Sequence, residues 1–134
     1  MFWVPYNCGR TSSHMLPDTS FWYEMTHLAA TNSVAIDRPK GSPHPRYSEV
    51  IYPFDYGYLE NTTAGDGSGI DVWLGSFCKT DKMLTGILCT FDTLKRDAEI
   101  KLLIGCTKED VQIIQDFHRE MQTLYIPNPM VATT

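Results

Sequence analysis

No stretch of the 134 residues approaches the ~18 uninterrupted apolar residues that a membrane-spanning helix needs. Nor does the chain open with a basic segment leading into an apolar one, as a secretory signal would. Positive charge is scarce: 11 Lys and Arg stand against 16 Asp and Glu, a net charge of -5. Without a basic field there is nothing to draw nucleic acid or an anionic membrane surface. Cysteine is sparse as well. Cys8, Cys78, Cys89 and Cys106 form no C-x-x-C pair and have no histidine at zinc-ligand spacing, so they read as reduced thiols, two or three of them buried. Internal repeats, low-complexity tracts and interdomain linkers are all lacking. With 43% hydrophobic and 20% charged residues, the chain is neither disordered nor fibrous. These absences leave a soluble, cytoplasmic protein of one domain, spanning residues 18–134, with residues 1–17 as an irregular extension.

What the chain does have is an acidic excess and a regular succession of short elements. Behind Asp18-Thr19-Ser20, which can cap a first turn, Phe21, Trp22, Met25, Leu28 and Ala29 recur at helical spacing. Val34-Ala35-Ile36 opens a strand that Pro39 stops, and the proline-rich run from Lys40 to Pro45 is a loop. Tyr52 to Leu59 is aromatic and extended, with Pro53 and Gly57 marking an edge or an irregularity. A glycine-rich loop leads to Ile70-Asp71-Val72-Trp73-Leu74, a strand, and further strands are expected over Met83–Phe91 and Ile100–Ile104. A last helix is expected from Thr107 onward, with Glu109 and Asp110 in its first turn and Val111, Ile114, Phe117, Met121 and Leu124 on one face until Pro127 ends it. Short strands followed by a helix make the chain mainly β with flanking helices, an α+β class, and suggest a small closed or partly open barrel.

The acids are placed with a pattern. Asp66 and Asp71 lie five residues apart, the first on the glycine-rich loop and the second in the following strand, and Asp92 and Asp97 repeat the interval around the next turn. Surface turns favour Asp and Gly for their own reasons. Asp71, however, interrupts an apolar strand, where an ionised carboxylate is costly unless a cation or hydrogen bonds compensate it. Asp97, Glu99 and Lys101 alternate and so share one face of a strand. Hard divalent cations take oxygen ligands, and Mg²⁺ typically binds through one or two carboxylates plus waters and phosphate oxygens. Tyr47, Tyr52, Tyr56 and Tyr58, ahead of the loop, offer hydroxyl donors. The loop does not fit a calcium-binding EF-hand, because the twelfth-position acid is missing and a strand follows it. No P-loop is present. His27, His44 and His118 lack metal-ligand spacing and read as surface or helix-face residues.

From about Val34 to Phe117 these residues resemble the soluble family I inorganic pyrophosphatases. Ile51-Tyr52-Pro53-Phe54-Asp55-Tyr56-Gly57-Tyr58 is similar to the family's Y-P-x-x-Y-G-[FY]-[IL] strand, and Asp66-Gly67-Ser68-Gly69-Ile70-Asp71-Val72 to its D-G-D-P-x-D-V loop. Asp92, Asp97 and Lys101 resemble the two later acids and the lysine. The resemblance implies an OB-like five-stranded barrel with helices, a homo-oligomer, Mg²⁺ dependence with Mn²⁺ as a substitute, and hydrolysis of inorganic pyrophosphate. By the same resemblance Asp66, Asp71, Asp92 and Asp97 would hold metal ions. Arg46 or Arg38, Lys101 and Tyr56 would bind phosphate oxygens, Arg119 would close the site, and Asp37 would match the acid at the end of the first strand.

Two departures follow from the same comparison. Ser68 stands where the family has the aspartate usually assigned as general base, and a hydroxyl cannot take up a proton at neutral pH. General-base assistance is worth about 10²–10⁴-fold, so turnover would be slowed unless Asp55 or Glu99 substitutes. The segment between Asp37 and Tyr52 is also shorter than in the family, which leaves the matching arginine open between Arg38 and Arg46. A pyrophosphatase-like module that binds metal and phosphate, or a protein partner, without turnover is the alternative reading.

Overall fold

The computed structural model describes residues 19–77 and 83–131. The expected extension over residues 1–17, the Asp18 cap, Cys8 and Cys78 lie outside the described residues. The elements in chain order are α1 (Thr19–Thr31), β1 (Val34–Arg38), β2 (Asp55–Leu59), β3 (Ile70–Leu74), β4 (Leu84–Asp92), β5 (Asp97–Ile104), α2 (Lys108–Phe117) and β6 (Gln122–Pro127).

The strands form one mixed sheet of six, in the order β1-β2-β3-β5-β4-β6. Neighbours run antiparallel except β3 and β5, which are parallel with Asp71 opposite Lys101 and Trp73 opposite Leu103. The expected five-stranded barrel is therefore corrected to an open sheet of six strands. Among the described residues no pairing joins β1 to β6, the two edges of the sheet.

The sixth strand comes from a segment expected to be helical. The face Phe117, Met121, Leu124 fits a helix, but the same stretch, Gln122-Thr123-Leu124-Tyr125-Ile126, alternates and is rich in β-formers, and a short apolar run satisfies either period. The edge of β4 decides: its backbone groups need partners, and Leu88 pairs with Tyr125 and Cys89 with Leu124. The helix ends at Phe117 with His118 as its C-cap, and Leu124 is left 59% exposed. Pro127, which has no N–H to give a ladder, terminates the edge strand.

Each face of the sheet carries a helix. On one side Trp22 and Ala29 of α1 pack with Leu59, Val72, Leu84, Ile87, Leu102 and Ile104. On the other, Val111 and Ile114 of α2 pack with Tyr52, Phe54, Trp73, Leu88 and Leu103. The carbonyls at the end of α1 are met by Thr31, whose hydroxyl donates to His27 O at 2.8 Å, and by Asn32, whose amide donates to Leu28 O at 3.0 Å. α2 starts with a capping box: the Thr107 hydroxyl accepts from Asp110 N–H and the Asp110 carboxylate accepts from Thr107 N–H, both at 3.0 Å. The same carboxylate accepts from the Ser76 amide and hydroxyl at 2.9 and 2.7 Å. It thus ties the loop after β3 to the start of the helix. At Gly57 a Cβ would fall on the Ala35 carbonyl of the paired strand, so only glycine lets β1 and β2 approach this closely.

Candidate functional site

Strand alternation places Asp71 of β3 and Glu99 and Lys101 of β5 on the α2 side of the sheet. There they meet Tyr56 of β2, whose neighbour across the ladder is Trp73. The Lys101 ammonium donates to Tyr56 Oη at 2.8 Å, to Asp71 Oδ2 at 3.0 Å and to Glu99 Oε1 at 3.0 Å. Its side chain is only 6% exposed. A lone buried ammonium would be costly, but three oxygen partners satisfy all its donors.

The electrostatics follow from that packing. Burial works against the Lys101 charge, yet the surrounding Tyr56, Asp71 and Glu99 oxygens overcome it and hold the ammonium above its ordinary range. Burial also disfavours ionised Asp71, but Lys101 and hydrogen bonds from Glu99 and Tyr56 outweigh it, and its carboxyl sits below the usual range. Glu99 goes the other way: its hydrogen bond to Asp71, added to burial, raises it. The two carboxyls are driven apart, one an ionised acceptor and the other a group that holds a proton more readily. Burial raises the Tyr56 hydroxyl well above its ordinary value, so it is a neutral donor.

Aromatic rings support the cluster from below. Trp73 lies 4.6 Å from Tyr56, 5.9 Å from Tyr52 and 5.3 Å from Phe117 between ring centroids. The Trp73 indole N–H donates to His118 Nε2 at 3.2 Å. The expectation of a surface or helix-face histidine is thus corrected at His118, which is 8% exposed. Burial, helped by the charge of Lys101, pushes it down to about 3. Its neutral ring keeps the proton on the other nitrogen. No spacing in the sequence signals this pairing, since the residues are 45 positions apart.

The remaining acids are distributed unevenly. Asp66, Asp71, Asp97 and Glu99 border a cavity of about 660 Å³, whose other walls include Met25, Ala64, Ile70, Cys89 and Ile100. One wall is apolar and faces α1, because Ile70 and Cys89 belong to that core, whereas the Asp71 and Glu99 carboxylates lie on the α2 side of the sheet with Lys101. Asp92 does not border it. Its Oδ1 accepts from the amides of Leu94 and Lys95 at 3.0 and 3.1 Å, which fixes the turn from β4 to β5. Asp66 does the same for its own loop, accepting from Ser68 N–H at 3.0 Å beside Gly67 at φ 87°. Ser68 itself is exposed.

The basic residues are separated. Burial raises the Tyr52 hydroxyl, against the opposing influence of the Arg38 guanidinium beside it, so Arg38 stands next to the aromatic support of the cluster. Arg46 lies on the exposed loop between β1 and β2, its amide donating to His44 Nδ1 at 3.1 Å. Arg119 follows α2, 65% exposed at the side chain, with its guanidinium 3.9 Å from Asp116. Of the two acids considered as replacements for the base at position 68, Asp55 accepts from the Lys40 amide at 2.7 Å and Glu99 joins Lys101.

Among the described residues no three His, Cys, Asp or Glu side chains converge as a ready-made metal cage. Mg²⁺ does not require one, since one or two carboxylates with waters and substrate oxygens suffice. Asp66, Asp71 and Asp97 all border the cavity and carry hard oxygen donors of the kind that ion takes, with the Asp71 carboxylate engaged by Lys101.

No protein-family model matches the chain. It is 37% identical over 70 residues to the inorganic pyrophosphatase of Geobacillus stearothermophilus, a match covering 48% of this chain and 41% of that protein. The inorganic pyrophosphatase of Bacillus sp. (strain PS3) matches with the same identity and coverage. The chain thus spans less than half the length of these relatives, and about half of it is similar in sequence to inorganic pyrophosphatases.

Proposed function

We propose that this protein is a Mg²⁺-dependent phosphoanhydride hydrolase whose substrate is inorganic pyrophosphate. The observation that carries the reading is the polar cluster of Tyr56, Asp71, Glu99 and Lys101 beside Asp66 and Asp97. The similarity to two inorganic pyrophosphatases supports it. Asp66, Asp71 and Asp97 would hold the ion, with Asp92 as a further ligand on the substrate side and Mn²⁺ as a substitute. When bound, the ion supplies charge screening of the anionic substrate and a water of lowered pKa.

The chain's own groups do the rest. Glu99, whose carboxyl is raised by its interaction with Asp71 and by burial, takes the part that Ser68 cannot play. Arg38 and Tyr56 orient phosphate oxygens from the edge of the aromatic support, with Arg46 and Arg119 as surface guanidinium groups that fold over the anion. A cytoplasmic homo-oligomer belongs to the same reading.

Phosphate release from magnesium pyrophosphate, compared with an Asp71→Asn variant, tests it. The expected outcome is turnover in the parent and a loss of about 10²-fold or more in the variant. Equal inactivity of both would end the proposal. A second reading, a binding module without turnover, draws on Ser68. A large gain in rate on Ser68→Asp favours the enzyme with a weakened base, and no gain favours the module.

A further inference from the structure

An ammonium has three N–H donors and no acceptor. In Lys101 all of them are consumed inside the protein by Tyr56, Asp71 and Glu99, at 2.8 to 3.0 Å, in a side chain 6% exposed. Tyr56, Asp71 and Glu99 are thereby gathered around one ammonium. No Lys101 donor is left for a phosphate oxygen, and the Asp71 charge is already balanced by a cation the chain itself supplies.

We infer that Lys101 is a built-in counter-cation, a positioning residue that holds Asp71 and Glu99 together and competes with a divalent metal ion for Asp71. The inference rests on the reading that Asp71 takes part in metal binding. A unit charge 3.0 Å from the carboxylate, on an ammonium 6% exposed beside an Asp71 side chain 28% exposed, is screened less than a fully exposed pair. A divalent ion approaching Asp71 must therefore displace the ammonium or bind against its repulsion. Displacement frees the Lys101 donors, so the phosphate-binding role expected of this residue follows metal entry and does not precede it.

Direct Mn²⁺ binding, followed by electron paramagnetic resonance of the free ion, tests this on the parent and on Lys101→Met, with near-ultraviolet circular dichroism confirming the fold. The variant should bind Mn²⁺ about tenfold tighter or more. Equal or weaker affinity in a folded variant overturns the inference, as does failure of both proteins to bind. Should Lys101→Met not fold, acetylation of the unaltered protein, read by mass spectrometry, decides. Lys101 should be protected without metal and labelled at saturating Mg²⁺, with exposed Lys40, Lys95 and Lys108 as internal references. Labelling of Lys101 that ignores the metal overturns it. Neither readout involves turnover, so a protein that exchanges Lys101 for metal but releases no phosphate retains this inference and loses only the proposed activity.

Discussion

Trp73 and His118 are joined under the polar cluster by a single hydrogen bond, indole N–H to imidazole Nε2 at 3.2 Å, with both rings buried. The bond requires an unprotonated nitrogen on His118. Taking up a proton there would set two donors against each other and add a charge near that of Lys101.

This pairing predicts an acid-sensitive fold. His118 titrates at about 3 in the folded protein against an ordinary 6.5, so on acidification the unfolded chain takes up the proton first. The stabilisation is complete above about pH 6.5 and declines as the pH falls toward the folded value, by at most about 1.4 kcal/mol per pH unit. Urea unfolding between pH 4.5 and 6.5 should show that slope, and His118→Gln should flatten it. A parent protein equally stable across this window would contradict the assignment.

Glu99→Gln keeps the size of the side chain but removes a proton acceptor. Because the raised carboxyl of Glu99 must be ionised to act as a base, kcat/KM of the parent should fall on the acidic side of its pKa. The variant should lose about 10²-fold in rate at neutral pH and show no such limb. A rate and profile like those of the parent would move the base elsewhere.

Gly57→Ala should loosen the edge of the sheet, because the added methyl group meets the backbone of Ala35 and Ile36 and no flexible side chain can give way. A loss of about 1–3 kcal/mol is expected. Hydrogen exchange should speed most at Ala35 and Tyr58, which pair in the β1–β2 ladder. A change confined to other strands would argue against the close approach.

Asp110→Ala removes the acceptor for Thr107 N–H and for the amide and hydroxyl of Ser76. The capping interaction alone is worth about 1 kcal/mol, and losing the tie to Ser76 should bring the total to about 2–3 kcal/mol in denaturant titrations. The Asp110 carboxyl is held below its ordinary value by these hydrogen bonds, against burial. Its contribution is therefore present above about pH 4 and lost as the pH falls through the lowered value. Thr107→Ala should cost less than Asp110→Ala, and the reverse order would show that the helix cap outweighs the loop tie.

Local signals account for much of the fold. The apolar spacing of Phe21, Trp22, Met25, Leu28 and Ala29 is enough for α1, the run from Ile70 to Leu74 for β3, and the Thr107 to Asp110 box for the start of α2. β6 was not legible, because Met121 and Leu124 fit a helix face while Leu124 and Ile126 fit one side of a strand. Only the unpaired edge of β4 chose between them. The candidate site divides in the same way. Alternation of Glu99 and Lys101 already places them on one face, but their meeting with Asp71 depends on a parallel pairing between strands separated by a third.

The sequence by itself determined that the second helix begins behind Thr107, that Trp22, Ala29, Val111 and Ile114 face inward, and that an aspartate intruding into an apolar strand needs a partner. Tertiary structure alone decided what that partner is. Charge compensation depends on distance through space, and the pairing of β3 with β5 puts the ammonium of Lys101, 30 residues along the chain, 3.0 Å from Asp71.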